Sequence, residues 1–355
     1  MRKTIIKLTV AGALFGAMGA TFGAQPVANG QFTIDSPPLL DWPRDTAAGL
    51  PDLTEETANR LVDLHGTVGN CEGVDLVLST AGNYHMALRD LFYDVLLPAH
   101  GATIRNWYYS TSPPIAVAQI QNKHLGFGNL ALKCVPQVVV APLPTIETLE
   151  GMTYADGRPV TEGARFPVFK NRGNVILVKK GNPRHIKSVW DLGKPNVRVV
   201  MPHKTLEPGT FTNYSGTIYN IAANDPNPPD HRTAEDLFNS IFNNTTVKHK
   251  WLSGGRIHHR EVPWSVAYGK ADAGILFYHL ALDAVRQFPD TFEIVPLGGT
   301  VDDPQPVNGN RVGAHFGIRI NGDWNAAQMA ARERLVEAYL SQEFTDILVS
   351  HGMTR

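Results

Sequence analysis

From residue 73 onward, short apolar runs alternate with helical patterns, and that alternation leaves few architectures open. GVDLVLSTAG (73–82) reads as a buried strand ending in small residues. NYHMALRDLFYDVLLPAHG (83–101) follows as an amphipathic helix with Met86, Leu88, Leu91 and Leu96 toward one broad apolar side. ATIRNWYYSTS (102–112) and PPIAVAQIQNK (113–123) repeat the strand–helix pair, and CVPQVVVAPLPT (134–145) supplies another strand. This order predicts an α/β fold with parallel packing. Later segments continue it: NVILVKK, a short helix at SVWDL, the strand NVRVVMP, the helix TAEDLFNSIFNNT, the strand RVGAHFGIRI and C-terminal helices from Asn325. At 355 residues, 43% of them hydrophobic, the chain is long enough for two lobes. Without an internal repeat or a clear serial boundary, two interleaved lobes are expected.

The N-terminus carries Arg2, Lys3 and Lys7 ahead of an apolar, small-residue run, the pattern of a secretory signal peptide over 1–24. A Pro- and Gly-rich arm and a short helix fill 25–72. The formal net charge of −1 becomes about −4 once those three cations are removed, which argues against a general nucleic-acid binder. In an exported protein the only two cysteines, Cys71 and Cys134, are expected to pair as a disulfide.

GGRIHHREVPWSVAYGKADAGILFYH (254–279) concentrates the chemistry. His258 and His259 are adjacent, so simple periodicity does not send both to one face, and no HExxH or comparable ligand spacing supports a metal. His259 and Arg260 are better placed to meet an oxyanion at the start of the helix that follows. Strand-to-helix turns offer similar chemistry. STAGN (79–83) contributes Thr80, Gly82 and Asn83; STSPP (110–114) contributes Ser112 and Pro113. The Pro208-Gly209-Thr210 turn and Arg172 at a crossing between lobes add further donors. Solvated turns and ordinary helix caps account for each of these alone. Glu261 with His259 could form an acid/base pair, but no GxSxG elbow, P-loop or paired nucleophile accompanies it, and no catalytic residue, metal or cofactor is assigned.

Three segments together resemble the periplasmic molybdate/tungstate-binding proteins of ABC transporters, within the class II solute-binding family. They are NRGNVILVKKGNPRHIKSVWDLGKPNVRVVMPHKTLEPGTF (171–211), GKADAGILFY (269–278) and AYLSQEFTDILVSHGM (338–353). The resemblance implies a two-lobed class II periplasmic-binding-protein fold whose interleaved lobes, joined by two crossover strands, close on a ligand. The first lobe would comprise 73–170 and 281–355, the second 171–280. Carried onto this chain, the ligand positions are Gly82, Asn83, Ser112, Pro113, Pro208, Gly209, Thr210, His259 and Phe277 or Tyr278. Several are atypical for molybdate: Pro113 lacks an N–H and Phe277 a hydroxyl. The implied protein is a monomeric periplasmic or secreted receptor that presents a small oxyanion or organic anion to an ABC permease. A secreted hydrolase or lyase using His259 and Glu261, or a ligand-sensing receptor domain, are the alternative expectations.

Overall fold

The computed structural model describes residues 73–110, 117–123, 125–127, 130–132, 134–254 and 258–355. The expected signal peptide, N-terminal arm, Cys71, Ser112 and Pro113 lie outside the described residues, and so does any pairing of Cys71 with Cys134. Cys134 itself is buried.

In chain order the strands are β1 (Leu76–Thr80), β2 (Trp107–Ser110), β3 (Leu125–Phe127), β4 (Leu130–Leu132), β5 (Val138–Pro142), β6 (Thr161–Lys170), β7 (Asn174–Lys179), β8 (Val199–Met201), β9 (Trp251–Ser253), β10 (Ala273–Phe277), β11 (Phe292–Val295) and β12 (Ala314–Ile320). The α-helices are α1 (His85–Asp90), α2 (Leu97–His100), α3 (Val117–Gln121), α4 (Leu143–Glu150), α5 (Pro208–Ala223), α6 (Ala234–Phe242), α7 (His258–Ala267), α8 (Tyr278–Gln287), α9 (Ala326–Leu340) and α10 (Gln342–Ser350). Two five-stranded sheets organise them, ordered β2-β1-β5-β12-β6 and β11-β7-β10-β8-β9, while β3 and β4 form a separate antiparallel pair.

The first sheet shows why its strands read as continuous apolar runs. Leu76, Leu78, Val138 and Val140 face one core with Leu88, Leu91, Leu335 and Phe344, while Val77 and Val139 face another with Ile146, Leu149 and Ile318. A sheet covered on both faces needs apolar side chains in both directions. β1 is parallel to β2 and β5, as the strand–helix alternation predicts. β12, returning from the far end of the chain, is antiparallel to β5 and β6. The second sheet carries its own core, with Ile176, Val200 and Ile275 packed against Tyr214, Ile218, Leu237 and Val266.

The lobes are joined where β6 leaves the first sheet and β12 re-enters it, with Lys170 and Ala314 in register as neighbours. Buried Asn171 ties the two crossings together. Its N–H donates to the Gly313 carbonyl at 2.9 Å, and its Oδ1 accepts from the Gly173 and Gly313 amides at 3.0 and 3.1 Å. Gly173, at φ +81°, occupies the left-handed region that admits glycine without strain. The second lobe runs further than the expected boundary at 280. α8 contributes Leu280, Ala281 and Ala284 to the second core, and β11 pairs antiparallel with β7, so the chain returns only near Gly313. Local pattern does not mark this return, because an edge strand reads alike in either sheet. No helix among the described residues is long and apolar enough to cross a membrane.

Candidate functional site

The crossings leave a cavity of about 470 Å³ between the lobes. From the first lobe come Ala81, Gly82 and Asn83 after β1, Pro142 ending β5, Pro144 and Thr145 in the first turn of α4, and Ala314 and His315 on β12. From the second come Glu207 to Thr210 at the start of α5, Asn213 one turn along it, His258 and His259 on α7, and Phe277 ending β10; Asn171 and Gly313 lie at the crossings. Each wall contains the start of a helical segment. Gly82–Tyr84 is a turn of 3-10 helix leading into α1, and α5 starts with Pro208 at a position where a missing N–H costs nothing. First-turn amides, here those of Gly209 and Thr210, have no intrahelical carbonyl to meet and favour negative charge.

Of the residues singled out from sequence, Gly82, Asn83, Pro208, Gly209, Thr210, His259 and Phe277 line this cavity together. Thr80 is fully buried beneath it, its hydroxyl 2.7 Å from that of Tyr84, which lies 2.9 Å from the hydroxyl of Tyr339. Tyr278 turns into the second core and donates to the Val301 carbonyl. Arg172 pairs with Asp303 at 2.8 Å outside the lining, and Arg260 is likewise not a lining residue. His258, the other member of the histidine pair noted from sequence, also lines the cavity, as does Asn213 in the polar run after the Pro-Gly turn. Glu207 and His315 line it too and were missed, because their sequence signal is weak: a histidine inside an otherwise apolar strand, and a carboxylate just before a Pro-Gly helix start.

The chain is already helical at His258, so the two histidines sit on α7 rather than ahead of it. Both reach the cavity, their ring centroids 5.5 Å apart and nearly perpendicular. One hundred degrees of helical rotation between neighbours keeps them off a single face, as expected, yet is compatible with a wall that curves around both. His259 also meets His85 of the first lobe edge-on at 4.8 Å. A second contact between lobes joins His279 Nε2 to the Asn83 carbonyl. His315 stacks on Phe169 at 4.3 Å and lies 3.3 Å from the Asn83 side-chain amide.

Burial holds most of these imidazoles neutral. It pushes His85 down to about 3, with Arg260 adding to the effect, His279 to about 4 and His315 to about 3. His259 falls well below its ordinary value, through burial first and then the neighbouring His85 and His258. The cavity wall is therefore rich in neutral hydrogen-bonding rings and poor in fixed cations. Among the described residues, no Lys or Arg lines it. Among the described residues no group of three or more His, Cys, Asp or Glu is placed to hold a metal ion.

Residues 149–354 match the family of bacterial extracellular solute-binding proteins, more than half of the chain. No curated protein matches. Among solved structures, Peb3 from Campylobacter jejuni is 17% identical with a TM-score of 0.46, over 79% of this chain and 99% of its own. The sulfate-binding protein SubI from Mycobacterium tuberculosis is 15% identical with a TM-score of 0.48, over 78% and 85%. AgtB from A. tumefaciens, solved with agropinic acid, is 14% identical with a TM-score of 0.47, over 77% and 81%. A two-lobed α/β fold with a cleft at the crossings and a family match spanning the second lobe and the C-terminal helices lead to one assignment: this chain belongs to the bacterial extracellular solute-binding proteins.

Proposed function

We propose that the protein captures a small organic acid in the cleft between its lobes and presents it to an ABC permease. The observation that carries this reading is the cavity itself, about 470 Å³ and walled by helix starts from both lobes. That volume falls within the roughly 300–1,000 Å³ typical of sites for small organic molecules. The free amides of Gly82, Asn83, Gly209 and Thr210 would receive the acid group, while Ala81, Ala141, Pro142, Phe277 and Ala314 would cover its apolar body. Closure about the Asn171–Gly313 crossing would then bury the solute.

Molybdate and tungstate are the smaller-ligand alternative. Against them stand the size of the cavity, the absence of Lys or Arg from its lining among the described residues, and the presence of the Glu207 carboxylate in that lining. An acid/base pair of His259 and Glu261 is not favoured. Two residues apart on α7, they diverge by roughly 200°, and Glu261 does not line the cavity.

Titration calorimetry of the purified protein against small mono- and dicarboxylates, phosphate, sulfate, molybdate and tungstate tests the reading. Saturable one-to-one binding of a carboxylate at micromolar affinity or tighter is expected. Binding of molybdate or tungstate in preference to every organic acid would replace the ligand class, and no binding across the panel would remove the proposal.

A further inference from the structure

Among the described residues Glu207 is the one carboxylate lining the cavity, and its partner defines what the wall asks of a ligand. Its side chain, 11% exposed, receives His258 Nδ1 at 3.1 Å through Oε1 and 3.2 Å through Oε2. An ionised carboxylate accepts only, so the proton must be on Nδ1, and in the neutral ring Nε2 then offers a lone pair. That Nε2 is buried without a hydrogen-bond partner, on a side chain 6% exposed that lines the cavity. The rings packed around it, Tyr214 at 5.6 Å, Phe277 at 6.4 Å and His259 at 5.5 Å, meet it edge-on.

His315, on the opposite lobe, has the reverse polarity. Its Nε2 faces the Asn83 amide nitrogen at 3.3 Å, a donor, so Nε2 accepts and Nδ1 carries the hydrogen. Nδ1 is also buried and unpartnered, on a residue that lines the cavity. The two walls thus present one orphaned donor, Nδ1 of His315, and two orphaned acceptors, Nε2 of His258 and the side-chain oxygen of Asn83. Buried polar atoms of this kind are costly to leave unmatched and are commonly met by a ligand.

Resting on the reading that this cleft is the solute site, we propose that its ligand is a hydroxy acid or an amino acid. Its carboxylate meets His315 and the first-lobe amides, and its hydroxyl or ammonium group donates to the Nε2 of His258 that Glu207 orients. The negative charge of Glu207 favours an ammonium over a hydroxyl at that end, and disfavours a second carboxylate placed there.

Matched acids separate the terms. Calorimetry would compare propionate with lactate and alanine, and succinate with malate and aspartate, on the wild type, His258→Phe and Glu207→Gln. The hydroxy or amino member of a set is expected to bind at least about 10-fold more tightly than the unsubstituted acid, because the latter leaves the His258 acceptor unpaired. That preference should shrink to under about 2-fold in His258→Phe. Lactate against alanine then distinguishes hydroxyl from ammonium. A ¹⁵N-histidine spectrum of the unliganded wild type, with the His258 signals identified by their loss in His258→Phe, needs no altered site; it should show a protonated Nδ1 and a bare Nε2. Equal binding within every set, or a proton on Nε2 at neutral pH, overturns the inference. Binding of molybdate or sulfate with none of the six acids overturns it too but leaves the cleft as a solute site. No binding by any of these probes removes the cleft reading itself.

Discussion

Lys250 shows at the residue scale how much one side chain can organise here. It is 2% exposed, and its ammonium donates to three backbone carbonyls, those of Leu192, Lys194 and Val197. Burial lowers its pKa to about 8, yet the three acceptors still leave the charged form well satisfied. The contact fastens the turn after Val189–Gly193 to the strand beginning at Trp251. Lys250→Met removes the donor while keeping the stem, stranding three carbonyls. Unfolding in denaturant should show a loss of about 2–4 kcal/mol, and a change under 0.5 kcal/mol would show that water replaces the ammonium at no cost. Sequence could not single out this lysine, since its three acceptors lie more than fifty residues upstream.

The elements that carry the site are set by close packing as much as by local pattern. α6 was legible because Thr233 and Asp236 form a reciprocal capping box, Asp236 N–H to Thr233 Oγ1 at 3.1 Å and Thr233 N–H to Asp236 Oδ2 at 2.8 Å. α7 was harder to place: the sequence puts the two histidines just ahead of a helix, whereas the helix already includes His258 and tolerates Pro263 in its second turn. What seats α7 is Gly274 on β10. A Cβ added there would run into Val262 of α7 and lie 2.9 Å from Val200 Cγ1. Gly274→Ala should therefore lift α7 from the sheet, costing about 1–3 kcal/mol and moving His258 and His259 out of position. Chemical denaturation paired with calorimetry of the best ligand would check it. Unchanged affinity in a destabilised variant would show that α7 yields without disturbing the cleft.

Across the whole molecule, His85, His259, His279 and His315 from the two lobes meet at the cleft and are held neutral by burial, which couples stability to pH. His279 and His315 titrate near 4 and 3 in the folded protein, below the roughly 6.5 of an unfolded histidine. Between those values the unfolded chain binds protons that the folded chain refuses. Their contribution is therefore fully present above about pH 6.5 and is lost as pH falls toward 4, by up to ~1.4 kcal/mol per unit for each ring. Thermal melting from pH 8 to 4 should be flat above neutrality and descend steeply between pH 6.5 and 4.5, ahead of most carboxylate titration. A Tm constant through that window would mean that these rings are open to water. The same coupling is a whole-molecule property because His85 and His259, and His279 and the Asn83 carbonyl, meet across the lobes.

The sequence by itself determined the α/β class, the positions of the principal strands and helices, and several of the turns that reach the cleft. These are properties of periodicity, capping and glycine or proline chemistry, which act within a few residues. The tertiary structure alone decided that the chain stays in the second lobe through β11, that Asn171 ties two crossings more than a hundred residues apart, and that His258 faces Glu207 while His315 faces Asn83. An edge strand carries no mark of the sheet it will join, and an imidazole carries no mark of which nitrogen will hold its proton. Both are settled by neighbours that only folding brings within hydrogen-bonding distance.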